Sequence, residues 1–118
     1  MKTEQLAKRS LQLADSFRYN LLPEEPVTFQ FIFENEDAFH LIANHEQFEF
    51  RPGIESPPTL TLWLDKHTTI WRLLEGTLDG MTTFMAGQYR ADGNIVLSQL
   101  LLYLFQSPQA LLAHEIKD

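Results

Sequence analysis

Apolar and polar residues alternate through much of the first half of the chain. Val27, Phe29, Phe31 and Phe33 are interleaved with Thr28, Gln30, Ile32 and Glu34, the two-residue period of a strand that turns one aromatic face inward. The run Glu34-Asn35-Glu36-Asp37 then reads as a solvated turn. Strand-like runs over 38–43 and 47–51 follow, reversed at Asn44-His45-Glu46 and ended by Arg51-Pro52-Gly53. Beyond Pro57-Pro58, Leu60, Leu62 and Leu64 alternate with Thr59, Thr61 and Trp63 and predict a fourth strand. The period is helical before this meander, where Leu6, Leu13 and Phe17 predict an amphipathic helix over 3–21, stopped by Pro23. It is helical again after Asp65, a residue placed to cap a helix through Ile70, Trp71, Leu73 and Leu74 that closes at Gly76. A short helix over 81–86 stops at Gly87, and a fifth strand over 88–91 precedes an Asp92-Gly93 turn. Asn94 then caps a helix over 95–105, and Ser107-Pro108 signals a terminal helix carrying Leu111 and Leu112.

The 95–105 segment changes the picture. Ser98 and Gln99 are its polar residues, so apolar side chains surround nearly the whole helix. A helix of that kind needs cover on more than one side. At about 1.5 Å per residue it reaches about 17 Å, roughly half of a ~30 Å hydrocarbon core, so it does not span a membrane. Cover comes from the protein's own core, from a second chain, or from a lipid. The sheet must also receive the apolar faces of two other helices, which leaves surface for a guest. Met81, Phe84 and Met85 add flexible thioethers and a ring, which suit a cavity accepting varied shapes and serve equally well as ordinary core filler.

Composition narrows the function classes. The chain has 118 residues, enough for one domain over 1–118. Nine basic against sixteen acidic residues leave a net charge of -7, which argues against nucleic acid as a partner. The absence of cysteine removes disulfides, thiolate metal sites and cysteine nucleophiles. The opening residues lack the apolar run of a signal peptide, so cytoplasmic residence is expected. His45-Glu46 begins like a zincin helix, but Glu49 occupies the position of the second histidine. His40, His67 and His114 are scattered and read as surface or capping residues. Neither a G-x-S-x-G motif nor a phosphate-binding glycine loop is present, so no catalysis, metal or cofactor is expected.

The run 58–105 resembles the second half of sterol carrier protein type 2 domains. The resemblance lies in the order of features: a strand ending at Asp65, a helix closing at Gly76, a short apolar helix through Phe84 and Met85 to Gly87, a strand to Gly93, and the long apolar helix. It implies an α+β fold, a mixed five-stranded sheet with helices packed on one face around an apolar tunnel for lipid. The candidate lining residues are Phe31, Phe33, Trp71, Leu74, Met81, Phe84, Met85, Leu100, Leu101, Leu104 and Phe105, with the segment after Ser107 as a lid. Where the family commonly carries lysines, this chain has Gln88, Arg90 and Asp92, which speaks against anionic head groups such as acyl-CoA. The C-terminal Glu115-Ile116-Lys117-Asp118 also lacks a peroxisomal address.

Three readings follow. The first is an intracellular carrier holding a fatty acid, sterol-like or isoprenoid lipid, with transient membrane contact. The second is an accessory domain presenting a lipid intermediate to membrane enzymes. The third is a non-catalytic interaction module whose apolar helix is buried in a homodimer. Both monomer and homodimer fit the sequence.

Overall fold

The computed structural model describes residues 3–55 and 57–105. Helix α1 (Thr3–Leu13) is followed by 3-10 turns at Ala14–Ser16 and Tyr19–Leu21. Strands β1 (Val27–Phe33), β2 (Phe39–Ala43), β3 (Phe48–Pro52) and β4 (Leu60–Leu64) come next. Helices α2 (His67–Glu75) and α3 (Gly80–Met85), strand β5 (Tyr89–Gly93) and helix α4 (Ile95–Leu101) complete the order. The strands form one mixed sheet in the order β3-β2-β1-β4-β5. β1 and β4 are parallel and the other neighbours antiparallel.

The alternation read from the sequence decides which face is buried. Register aligns Phe31 with Phe39 and Leu62, and Leu41 with Phe50, so the aromatic residues of β1 share a face with the leucines of β4. The helices cover that face. Trp71 of α2 stacks on Phe39 with ring centroids 5.1 Å apart and planes 9° from parallel, and meets Phe50 edge-on at 5.1 Å. Phe105 lies 4.9 Å from Phe48 and 5.6 Å from Phe17, closing the far side of the same cluster. The opposite face is crossed by the β3–β4 link. His40 Nδ1 lies 2.8 Å from the Gly53 carbonyl oxygen, and Glu55 N donates to Gln30 Oε1 at 3.0 Å. This link buries His40 and Gln30, side chains that alternation alone turns toward solvent.

Several sequence expectations are corrected. The first α-helix ends at Leu13 rather than near residue 21, because the chain tightens into 3-10 turns that carry Phe17 onto Phe48, 4.7 Å between rings. β5 runs through Asp92 and Gly93, which pair with Thr61 and Leu60 instead of forming a turn. α4 ends at Leu101. Tyr103 N and Leu104 N then donate to the carbonyls three residues back, and this tighter winding drives Leu104 and Phe105 into the core. Asp65 does not cap α2. Lys66 holds that position, and Asp65 accepts instead from Lys66 N and the Thr69 hydroxyl. Glu36 is no solvated tip: Glu36 Oε1 accepts the His67 N–H at 2.8 Å and Oε2 lies 3.1 Å from His67 Nδ1, tying the β1–β2 turn to the start of α2. His40 is buried rather than superficial. The expected terminal helix and lid, with His114, lie outside the described residues.

Candidate functional site

An apolar cleft of about 640 Å³ opens at the β5 end of the sheet. One wall is α3 with its approach, Leu78 to Phe84 in part; the floor is Tyr89 and Ala91 of β5; the other wall is Ser98, Gln99, Leu102 and Tyr103. Local sequence fixes each wall. Asp79 caps α3, its Oδ2 accepting from Thr82 N and the Thr82 hydroxyl, both at 2.8 Å. Gly80 lets the second wall approach, since a Cβ there would stand 2.5 Å from Leu102 Cδ1. Asn94 caps α4 by accepting from Leu97 N at 3.2 Å. Leu97 and Leu101 then face the core, while Ser98 and Gln99 of the same helix face the cleft.

The rim is apolar and open. Met81 is 69% exposed, Phe84 48% and Met85 75%, so a six-residue helix leaves three large hydrophobic side chains in contact with water. Phe84 meets Tyr89 at 5.6 Å, and both also border a second cleft of about 710 Å³ on the far side of β5, with Phe33, Trp63 and Arg90. Asp79 is the charged residue of the first cleft. Burial, reinforced by the negative charge of Asp79, pushes the Tyr89 phenol above its ordinary value of 10.0. The hydroxyl therefore stays neutral at physiological pH.

A spectroscopic titration checks this environment. One tyrosine should ionise above the ordinary range, and Tyr89→Phe should remove that step. Folding raises this pKa, so the neutral phenol contributes stability below about 10 that is lost as pH rises through the folded value. Wild-type stability should thus fall more steeply than that of Tyr89→Phe above pH ~10; parallel curves would count against a buried phenol.

The structure divides the candidate residues. Met81 and Phe84 line the cleft and Met85 stands on the same helix. Phe33 borders the second cleft. Phe31, Trp71, Leu74, Leu101, Leu104 and Phe105 are packed together in the core, and Leu100 is half-buried against it. Leu78, Tyr89, Ala91, Ser98, Gln99, Leu102 and Tyr103 line the cleft without having been singled out. A signal for two of them existed: Ser98 and Gln99 are the polar exceptions in an apolar segment and mark where that helix leaves the core. No helix among the described residues is long and apolar enough to cross a membrane.

Comparison with known proteins bears on this arrangement. No curated protein matches in sequence. Among solved structures, the chain is similar to the ubiquinone synthesis protein UbiJ-SCP2 at 12% identity and a TM-score of 0.68, covering 88% of this chain and 90% of that one. It is similar to palmitated SCP2L2 from Aedes aegypti at 16% identity and a TM-score of 0.58, covering 86% and 92%. It also resembles the inverting sec-alkylsulfatase Pisa1 from Pseudomonas sp. at 21% identity and a TM-score of 0.66, covering 80% of this chain. The chain spans 15% of the length of that sulfatase, so the fold also occurs as one part of a larger enzyme. These likenesses are of fold, and they match the mixed five-stranded sheet with its helical layer. The model of the SCP-2 sterol transfer family matches residues 4–106, and the chain belongs to that family.

Proposed function

We propose that the domain binds the hydrocarbon part of a lipid in the cleft between α3, β5 and α4, as a non-catalytic intracellular carrier. The observation that carries this reading is an apolar cleft whose rim keeps Met81, Phe84 and Met85 exposed. Family membership points the same way, toward lipid binding or transfer. The volume lies within the range of about 300–1,000 Å³ of small-molecule sites. Burying a sixteen-carbon chain at about 0.8 kcal/mol per methylene offers on the order of 12 kcal/mol before ordering costs. Half of that still supports binding in the range of tens of micromolar. Ser98, Gln99 and the neutral Tyr89 hydroxyl offer hydrogen bonds, while Asp79 disfavours an anion, so an uncharged polar end as in a sterol or an isoprenoid alcohol fits best.

Denaturing the purified protein, extracting it with organic solvent and identifying the released lipids by mass spectrometry tests the reading. Titration with a fluorescent sterol and a fluorescent fatty acid complements it. Phe84→Gln should weaken binding about tenfold, the equivalent of losing one ring from the contact. Its thermal midpoint should barely move, because Phe84 is half exposed. Absence of any extracted lipid, together with no binding of either probe, would overturn the proposal.

A further inference from the structure

We propose that the outer edge of β5 is a self-association surface, on which β5 of a second copy pairs antiparallel about a two-fold axis through Ala91. Among the described residues the sheet ends at β5, which bonds to β4 on one side. Arg90, Ala91, Asp92 and Gly93 are all exposed. The register settles which groups are available. Asp65 N donates to the Gln88 carbonyl at 3.1 Å, so Gln88 and, by alternation, Arg90 and Asp92 turn their backbone groups toward β4. Tyr89, Ala91 and Gly93 therefore point their N–H and C=O groups away from the sheet. An antiparallel mate centred on Ala91 meets these outward groups: Ala91 faces Ala91 of the second copy, and Tyr89 faces its Gly93.

The same register makes the side chains self-complementary. Arg90 falls opposite Asp92 of the second copy, and Asp92 opposite its Arg90, in the non-hydrogen-bonded positions where side chains approach most closely. Protected edges commonly carry charges that repel another strand; here the two charges are opposite, so the two-fold mate is attracted. Arg90 is already held in line, its guanidinium carbon 5.2 Å above the exposed Trp63 ring. On the other face, Tyr89 of one copy would lie over Gly93 of the other, supplying a ring where glycine has no side chain. The two clefts floored by Tyr89 and Ala91 then adjoin across the axis. The pairing rests on the edge and its charges, independently of whether the clefts hold lipid.

Two five-residue edges make a small contact, so a weak dimer is expected. Sedimentation equilibrium from about 10 to about 500 μM should show concentration-dependent dimerisation of the wild type. Arg90→Asp and Asp92→Arg each place like charges opposite one another at both pairs and should weaken the dimer at least about tenfold. An equimolar mixture of the two variants restores opposite charges and should dimerise as the wild type does, as should the double swap. Circular dichroism melting keeps folding defects separate from association. The Ala91 amide should gain hydrogen-exchange protection as concentration rises. A monomeric wild type at the highest concentration, single variants that associate normally, or a mixture that stays monomeric would each overturn the proposal. So would Ala91 protection independent of concentration, which would place another segment of the same chain on the edge.

Discussion

Replacing Trp71 with alanine should lower the unfolding free energy by about 3–5 kcal/mol, the range for truncating a large buried aromatic. Trp71 is 2% exposed, stacked on Phe39 and edge-on to Phe50, so its ring joins the helical layer to two strands at once. Arg9 of α1 lies over the same ring at 5.1 Å and pairs with Glu75 at 3.0 Å, extending the contact to the first helix. The Trp71 Nε1 proton is buried without a hydrogen-bond partner among the described residues, which costs some of that stability. Trp71→Phe keeps most of the stacked area and removes the orphan donor, so it should cost far less than Trp71→Ala. Chemical denaturation of the three proteins checks this. A domain of this size holds about 5–15 kcal/mol in total, so the alanine variant should be partly unfolded at 37 °C. A loss below about 1 kcal/mol would show that the stack carries little of the fold.

Gly93→Ala should be nearly as damaging, about 3 kcal/mol, for a backbone reason. Gly93 ends β5 with φ +123°, a conformation that side chains rarely tolerate, and a Cβ there would lie 2.7 Å from the Thr59 carbonyl oxygen and 3.2 Å from Leu60 Cα. Both are main-chain atoms, so no flexible side chain can move aside. The substitution should detach the end of β5 from β4 and displace Ala91 and Tyr89, the floor of the cleft. Probe binding should therefore fall together with stability, whereas Phe84→Gln lowers binding alone. Denaturation curves and amide exchange across β4 and β5 separate the two behaviours; unchanged exchange along β5 would contradict the close packing at Gly93.

The sequence by itself determined where the chain is extended and where it coils. Period two in Val27–Phe33 and Leu60–Leu64 and the stop at Gly76 are local properties, set by side-chain alternation and by the left-handed conformation that glycine adopts. The order of those elements also carried the family resemblance. Tertiary structure decided the rest, because it depends on contacts between distant segments. Periodicity cannot tell that the β3–β4 link lies over His40 and Gln30, or that Glu36 reaches across to cap α2. It marks Phe31, Trp71, Leu101 and Leu104 as apolar and leaves open whether they line a cavity or fill a core; packing on the inner face of the sheet makes them core. The cleft arises where the helical layer meets the edge of the sheet. There α3 is too short to bury Met81, Phe84 and Met85, and no fold-independent signal marks that shortage of cover.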